Sequence, residues 1–402
     1  MNRKNRIAGW MLIGCCIGLV WVACDKKSTD PAPKTNEELQ EQFQTLLNNV
    51  VVNDNAIHSA VLMVEAPLRN LSWKGAAGLA DPGANLAMDP DDQFRTASIG
   101  KMTCATLAMA LVEAGQIGLD DSIHLYLPDS IMNGLHVFQG QDYSERITIR
   151  QLLSHTSGLP DYVEDGDANA NGLPDFLELL MAQPNEFWTP EETIAYAKEH
   201  LTPFSQPGQG FHYSDTNYQL LGLILQNVTT KALNVLYRES LFSPLGMNYT
   251  YMEFYDTPIP GIAGRSLSHV YFGDQDYTNW ISASADWAGG GLASTTGDLT
   301  RFLRAFVSDG IFQNSQTKAQ MMSWGSTGIT GVYYGFGMVR VNFEELGLPG
   351  AGEIYGHDGF PQSFMYYWPG QNVTIAGTLN QAVPEKFDAL AVVASVILLL
   401  QD

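Results

Sequence analysis

The order of apolar and polar residues predicts regular structure in the first hundred positions. Apolar side chains recur every three to four residues between residues 39 and 50, which is the spacing of an amphipathic helix. Residues 58–65 and 71–79 have strand-like patterns, and residues 67–70 between them predict a turn. We therefore expect the fold to begin with a helix packed on an antiparallel hairpin.

The middle third of the chain is mainly helical in pattern, whereas the last third mixes strands with helices. The predicted helices lie at 190–200, 215–228, 231–242, 297–308 and 388–400, with a short one inside 147–158. The predicted strands of the last third lie at 334–343, 363–368 and 373–379. The final apolar helix is too short to favour a membrane span, so we expect it to pack on a sheet.

We predict a second apolar helix, which begins with the segment Thr96–Lys101 and ends at Gly115. A lysine is costly to bury without a partner, so Lys101 lies either at the rim of this helix or in a site with a chemical role. Ser98 and Lys101 are three residues apart, which places them on the same helix face. An amine beside a hydroxyl can act as its base, so the pair is a candidate for nucleophilic catalysis.

The N-terminus has the pattern of a targeting segment rather than of a folded domain. Basic residues precede an apolar run from Ile7 to Ala23, which Cys24 follows. Val22-Ala23-Cys24 resembles the lipobox of bacterial lipoproteins, so we predict a signal peptide at 1–24, a lipid on Cys24 and a polar tether at 25–36. The location implied is the bacterial cell envelope, on the side facing the periplasm or the exterior.

Two alternatives to this N-terminal prediction stay open. Trp21 stands where the lipobox usually has Leu, which leaves an uncleaved membrane anchor as one alternative. Cleavage before Cys15 or Cys16 is weaker because the apolar run ahead of them is short.

Composition narrows the classes of function. The chain has 402 residues and a formal net charge of −22, so nucleic acid and anionic membrane surfaces would repel it. Cys104 is the one cysteine of the predicted folded body, so no intramolecular disulfide can form there. We interpret Cys104 as a small core residue.

Later motifs strengthen the Ser98–Lys101 pattern. They are Leu153–Leu159 (LSHTSGL), Tyr213-Ser214-Asp215, Gly289–Gly291 and Gly356-His357-Asp358-Gly359. Together, in this order and spacing, they resemble the serine β-lactamase and penicillin-binding protein family over about residues 37–402. The most similar branch comprises class C β-lactamases, DD-carboxypeptidases and β-lactamase-like esterases.

The resemblance implies a fold. It is the α+β fold of the β-lactamase/transpeptidase type, in which helices flank an antiparallel sheet and a second lobe is mainly helical. We expect one domain at 37–402, with the sheet lobe at about 37–118 and 285–402 and the helical lobe at about 119–284.

The resemblance also implies roles for individual residues. Ser98 would be the nucleophile, Lys101 its proton acceptor and Tyr213 the relay of the proton to the leaving atom. The backbone amides of Ser98 and Phe360 would hold the oxyanion, and each such donor typically contributes about 10²–10³-fold in rate. The resemblance implies no cofactor for catalysis.

Departures from the family pattern fall at Asp215, His357 and Asp358, which together with Gly359 are the predicted substrate-binding residues. Many β-lactamases have Asn at the position of Asp215 and Lys-Thr at the positions of His357 and Asp358. Nearby carboxylates would repel a substrate carboxylate, which favours an uncharged ester, amide or D-peptide over a β-lactam. An Asp358 that turns away, or a charge from Arg265 or Arg340, would weaken this argument.

We therefore predict a serine hydrolase that acts through an acyl-enzyme on esters or amides, of the β-lactamase-like esterase or D-Ala-D-Ala carboxypeptidase type. Its partner would be a small-molecule or peptide substrate. Two alternatives are a true class C β-lactamase and a catalytically silent envelope lipoprotein that binds peptidoglycan peptides or a protein. A binding protein has no need of a buried lysine, which favours the enzyme.

Three motifs have structural interpretations that compete with functional ones. His155 and His212 are interpreted as turn-stabilising residues. The Gly289–Gly291 run is interpreted as a tight strand entry rather than a phosphate loop.

Residues 167–178 match the calcium-loop pattern D-x-[DN]-x-[DN]-G-x₅-E. Gly172 would allow the sharp turn, and Pro174 departs from paired EF-hand loops, which leaves a resemblance to dockerin or thrombospondin type 3 loops. The alternative is an Asn-rich polar insertion without metal. The predicted oxygen ligands are Asp167, Asn169, Asn171, the Leu173 carbonyl, Asp175 and Glu178.

Overall fold

The computed structural model describes residues 34–401. The predicted signal peptide, Cys24 and most of the predicted tether lie outside these residues. The first helix begins at Asn36, where the Thr35 side chain accepts the Glu38 backbone N–H and the Glu38 carboxylate accepts the Thr35 N–H. This reciprocal cap defines the start of the fold because it satisfies backbone donors that a helix end leaves unpaired.

The helices and strands follow the predicted order closely. The helices are α1 Asn36–Asn53, α2 Gly100–Glu113, α3 Asp129–Met132, α4 Ile149–Leu153, α5 Asp175–Ala182, α6 Pro190–His200, α7 Asp215–Thr229, α8 Leu233–Tyr237, α9 Ser243–Leu245, α10 Trp287–Gly290, α11 Thr296–Val307, α12 Ser315–Met321 and α13 Ala389–Gln401. The strands are β1 Ser59–Ala66, β2 Leu71–Asp81, β3 Leu86–Ala87, β4 Phe94–Arg95, β5 Val137–Phe138, β6 Gln141–Asp142, β7 Tyr251–Met252, β8 Tyr271–Phe272, β9 Gln275–Asp276, β10 Leu292–Ser294, β11 Gly325–Ser326, β12 Val332–Tyr334, β13 Val339–Asn342, β14 Glu353–Gly359, β15 Ser363–Trp368 and β16 Val373–Thr378.

The main sheet joins the two ends of the folded chain. Within residues 34–401 its order is β11-β12-β13-β14-β15-β16-β1-β2-β3, and neighbouring strands run antiparallel. Residues 119–284 contribute α3 to α9 and strands of two residues each. The observed fold is therefore the predicted α+β fold, with a large antiparallel sheet and helices.

The sheet separates two apolar cores. On one face α1 and α13 pack together, and their buried residues include Phe43, Leu47 and Val393. On the other face α11, α2 and α7 form the larger core. The free thiol of Cys104 is buried there, as predicted for a core cysteine.

One expectation about the last third is wrong. Residues 334–343 do not form one strand, because the chain turns at Gly335–Met338 between β12 and β13. The Gly337 φ of +69° and the Gly335 N–H bond to the Met338 carbonyl at 2.8 Å make this turn. The His357 box lies at the end of β14, and β15 follows it at Ser363.

The final apolar helix packs on the sheet, as expected. Val392, Val393, Val396 and Ile397 are fully buried against the α1 side of the sheet. Among the helices at 34–401, none combines the length and the apolar character needed to cross a membrane.

We expect Gly222→Ala to lower the free energy of unfolding by about 1–3 kcal/mol, because overpacking a tight core has about that cost. A Cβ at Gly222 on α7 would lie 2.6 Å from the Ala288 Cβ and 2.7 Å from the Trp287 ring. Urea unfolding measures the change. Gly297→Ala on α11 is the control, because the nearest heavy atom to its new Cβ would be 3.6 Å away. Equal stability of the two variants would contradict the close packing of α7 on α10.

Candidate active site

The Ser98 hydroxyl lies at the start of α2, in a segment whose backbone is unusual. Ala97 has a φ of 43°, an uncommon value for a residue with a Cβ, and a single 3₁₀ turn at Ala97–Ile99 leads into the helix. Ser98 is 3% exposed and Lys101 is fully buried. The predicted pair is therefore inside the protein, and Lys101 is not a rim residue.

Lys101 bonds to three oxygen atoms around its amino group. Its Nζ donates to Ser98 Oγ at 2.9 Å and to the Gly289 carbonyl at 3.0 Å. It also forms an ion pair with the Asp215 carboxylate, which is as buried as the lysine. These contacts use the three donor positions of an ammonium group and balance its charge inside the protein.

The three glycines at 289–291 are required by close backbone packing. A Cβ at Gly290 would lie 2.1 Å from the Ala97 carbonyl oxygen, and one at Gly289 would lie 2.7 Å from Asp215 Oδ1. Any larger residue would push α10 away from both Ser98 and Asp215. The predicted tight entry to a strand is confirmed, since β10 follows directly.

Tyr213 completes the cluster around the serine. Its side chain is 7% exposed, and its ring lies 5.0 Å from Lys101 Nζ. Burial raises the pKa of the Tyr213 hydroxyl well above its usual value, the Asp215 charge adds to the rise, and a hydrogen bond with Ser98 opposes it. The phenol is therefore neutral at physiological pH and can donate a proton close to Ser98.

A chain of hydrogen bonds fixes the wall behind Tyr213. The His155 ring lies 4.2 Å from the Tyr213 ring, and His155 Nδ1 accepts the Ser214 N–H at 3.1 Å. Tyr334 Oη lies 3.2 Å from His155 Nε2 and 3.1 Å from His357 Nε2. His357 Nδ1 lies 2.6 Å from the Asp358 carbonyl, which can only accept.

These contacts define which histidine nitrogens carry protons. Burial, followed by the Lys101 charge, lowers the pKa of His155 well below its usual value and that of His357 to about 3, so both rings are neutral. Nδ1 of His155 accepts, so its Nε2 donates to Tyr334. Nδ1 of His357 donates, so its Nε2 accepts from Tyr334. The Tyr334 hydroxyl therefore joins two histidines of opposite tautomer.

The predicted substrate contacts of the His357 box need correction. Both His357 ring nitrogens are engaged within the protein, which leaves neither for a substrate. The Asp358 carboxylate accepts from Tyr366 at 2.9 Å on the opposite face of β14, because successive strand residues point to opposite faces. Asp358 therefore does not line the cleft.

The glycine of the same box packs where the sequence predicts an oxyanion site. A Cβ at Gly359 would lie 2.3 Å from the Thr96 carbonyl, and Ser363 Oγ donates to that carbonyl at 2.7 Å. These contacts hold the end of β14 beside Ser98. Phe360, which follows, lines the cleft.

Ser98 opens into a cavity of about 130 Å³. Arg95 is at its wall, where its guanidinium binds the Glu253 carboxylate at 2.9 Å and the carbonyls of Tyr277 and Thr278. Neither arginine considered from the sequence reaches the cleft: Arg265 pairs with Asp92, and Arg340 lies over the Tyr333 ring. The apolar lining comes from Tyr162, Leu177, Leu180, Met181, Phe272, Tyr277, Trp280 and Phe360.

Carboxyl groups that sequence reasoning missed surround this cluster. Burial raises the pKa of Asp286 to about 7, and that of Glu164 to about 8, with the Asp215 charge adding to both. Asp161, whose Oδ1 accepts the Asp215 N–H at 3.1 Å, has a pKa well above its usual value for the same reasons. No local sequence signal marks these residues, because they converge only in the folded chain.

The predicted calcium loop lies on the surface. Asp167 accepts the backbone N–H groups of Asn171 and Gly172, and the side chains of Asn169 and Asn171 turn to the Glu178 carboxylate. Hydrogen bonds thus link four of the predicted ligands, Asp167, Asn169, Asn171 and Glu178. No group of three or more His, Cys, Asp or Glu suited to a metal occurs in residues 34–401. Two Asn amides would have to present oxygen instead of nitrogen to a cation.

Comparison with known proteins identifies relatives over most of the chain. The family model described as Beta-lactamase matches residues 47–397. Penicillin-binding protein 4 of Amycolatopsis lactamdurans is 26% identical over 370 residues, which cover 88% of each chain.

Solved structures resemble the chain over a similar length. A D-stereospecific amidohydrolase from Streptomyces sp. has a TM-score of 0.73 at 26% identity and covers 89% of this chain and 98% of its own. The D-amino acid amidase of Ochrobactrum anthropi SV3, solved with D-phenylalanine, shares the fold with a TM-score of 0.74 at 23% identity, covering 90% of this chain and 99% of its own.

We expect Tyr334→Phe to lower kcat by about tenfold or more with little change in KM. The change leaves one histidine donor and one histidine acceptor buried without a partner and loosens the ring packed on Tyr213. Steady-state kinetics on an ester substrate measures the effect. Tyr333→Phe is the control, because that hydroxyl bonds to Glu345 and Arg340 and Tyr333 does not line the Ser98 cavity. Equal kcat in the two variants would contradict a positioning role for Tyr334.

Proposed function

We propose that this chain, which belongs to the Beta-lactamase family of serine hydrolases, hydrolyses ester or amide bonds through an acyl-enzyme formed on Ser98. The observation that carries the proposal is the buried contact of Ser98 with Lys101 at the floor of an open cavity. Acyl transfer through a covalent intermediate replaces one difficult step by two easier ones.

Proton transfer in this proposal begins at Lys101. To act as the base, Lys101 first passes one proton to the Asp215 carboxylate with which it is paired, and as the amine it then takes the Ser98 proton while Oγ attacks the substrate carbonyl carbon. The ammonium that results stays in contact with Asp215 and the Gly289 carbonyl. Tyr213 then delivers a proton to the leaving oxygen or nitrogen, and water releases the acyl group by the reverse sequence.

The oxyanion would be held by the backbone amides of Ser98 and Phe360. The packing of Gly359 on the Thr96 carbonyl supports this role, because it brings the Phe360 segment beside the serine. Backbone donors fixed in this way stabilise charge without reorganising during the reaction.

Charge in the cleft favours a substrate without a carboxylate. The cations that approach Ser98 are already paired, Lys101 with Asp215 and Arg95 with Glu253. A β-lactam or D-Ala-D-Ala carboxylate would have to bind near carboxylates, and both of these cations of the described chain are already paired. An ester or amide that lacks this carboxylate does not meet that cost.

We expect p-nitrophenyl butyrate to be hydrolysed with a higher kcat/KM than nitrocefin or a D-Ala-D-Ala peptide. A fluorophosphonate probe should label the wild type and not Ser98→Ala, whose turnover should fall by about 10³-fold or more. Mass spectrometry of the labelled protein and spectrophotometric assays measure both results.

Ser72→Ala, at an exposed position on β2, is the matched control and should keep full labelling. A folded wild type that neither turns over the three substrates nor accepts the probe would reject the enzyme in favour of a binding protein. A higher kcat/KM for nitrocefin or the D-Ala-D-Ala peptide would reject the charge argument but not the acyl-enzyme on Ser98.

We also propose that residues 167–178 bind calcium through Asp167, Asn169, Asn171, the Leu173 carbonyl, Asp175 and Glu178. The convergence of the Asn side chains on Glu178, together with the Gly172 N–H bond to Asp167 at 3.0 Å, supports the loop geometry. Oxygen donors of this kind suit calcium, which would stiffen the segment leading into α5.

After chelation, we expect calcium to give binding heat in isothermal titration and to raise Tm, because a ligand that binds only the folded state stabilises it. Glu178→Gln should lose both effects. Glu186→Gln, at an exposed position beyond the loop, should keep them. Absence of heat and of a Tm change in the wild type would refute the site.

A further inference from the structure

Asp286 presents a carboxylate to the active-site cavity and has no part in the proposed proton transfer. It lines the same cavity as Ser98 and Asp215. Within residues 34–401, no side chain or backbone N–H donates a hydrogen bond to its carboxylate, and the Gln219 amide bonds to its backbone carbonyl instead. A carboxylate at an apolar cavity wall is costly unless a cation or donor reaches it.

The protein cations that act on Asp286 are committed elsewhere. The charges of Lys101 and Arg95 both favour the ionised form of Asp286. Lys101, however, directs its amino group to Ser98, Gly289 and Asp215, and Arg95 binds Glu253 with two of its nitrogens. An ammonium group brought by a ligand would therefore find a carboxylate that no cation of residues 34–401 occupies.

The backbone around Asp286 is held in place. The carbonyl of Ala285 accepts from the Tyr162 hydroxyl at 2.6 Å and from Gln219 Nε2 at 2.8 Å. Trp287, the next residue, has a φ of 29°, a strained value for a large side chain, and is itself buried. This strain is maintained by surrounding packing, so the position of Asp286 at the cavity is a built feature.

Gly289 is close to Asp286 and is also bonded to Lys101 beside Ser98. A Cβ at Gly289 would lie 3.3 Å from Asp286 Oδ1, and the Gly289 carbonyl accepts from Lys101, which bonds to Ser98. A cation at Asp286 therefore lies close to the carbonyl that Ser98 attacks. In an α-amino acid, one carbon separates the amino group from the carbonyl carbon. Its amino group is therefore a cation that lies close to the carbonyl.

We propose that Asp286 binds the protonated α-amino group of the substrate, so that the enzyme acts on amides or esters of apolar α-amino acids whose amino group is free. The inference rests on the proposed acyl-enzyme function and names its substrate class. The side chain of the amino acid would occupy the apolar part of the cavity, formed by Leu177, Leu180, Met181, Phe272, Tyr277 and Trp280.

The electrostatic setting agrees with this assignment. Burial first, and then the Asp215 and Glu253 charges, raise the pKa of Asp286 to about 7. An entering ammonium group favours the ionised carboxylate, because an opposite charge nearby stabilises the charged form.

The test compares ligands that differ only in the amino group. D- and L-phenylalaninamide and 3-phenylpropanamide compete with p-nitrophenyl butyrate, and their inhibition constants are measured on the full chain at pH 7. We expect the better enantiomer to bind about tenfold to a hundredfold more tightly than 3-phenylpropanamide, as one charge-assisted contact typically provides. In Asp286→Asn this ratio should fall towards one.

Asp274→Asn is the matched control, because it removes the same charge from an exposed position outside the cavity. It should keep the wild-type ratio. A wild-type ratio of one, or a ratio that survives in Asp286→Asn, would overturn the assignment, as would the absence of inhibition by all three amides. The inhibition constants can be measured only if the wild type hydrolyses p-nitrophenyl butyrate. A wild type that does not hydrolyse this ester would count against the proposed function and not against the assignment of Asp286.

Discussion

The buried ion pair between Lys101 and Asp215 is the interaction on which the rest of the site depends. Each charge would be costly alone in the interior, and the pair remains costly unless further polar atoms surround it. The Gly289 carbonyl and Ser98 supply those atoms for the lysine. Because Asp215 begins α7 and Lys101 lies on α2, the pair also requires α10 to approach both helices, which only glycine at 289 and 290 allows.

On the other side of the serine the protein keeps its polar groups neutral. His155 and His357 are joined through the Tyr334 hydroxyl, and burial lowers the pKa of both rings. A charged histidine there would oppose the nearby lysine. The neutral network instead provides a rigid support for the Tyr213 ring. The arrangement thus separates a charged pair beside Ser98 from an uncharged wall that contacts the phenol.

The departures from the better-known branches of the family have a common consequence. A carboxylate occupies the position where many β-lactamases have an amide, and a neutral, fully bonded histidine occupies the position of a lysine. In the proposal made above, these departures and the Asp286 carboxylate at the cavity wall favour a cation over an anion in the cleft. The same Ser98–Lys101 pair would then serve a different class of substrate.

The sequence by itself determined the features that depend on neighbouring residues. Helical and strand spacing predicted α1, the β1–β2 hairpin and α13, and the three-residue separation of Ser98 and Lys101 placed both on one helix face. Only the tertiary structure decided which way Asp358 points, that Tyr334 links two histidines, and that Asp286 faces the cavity. The reason is physical: local spacing controls backbone hydrogen bonds, whereas the partner of a side chain depends on which distant segment packs beside it.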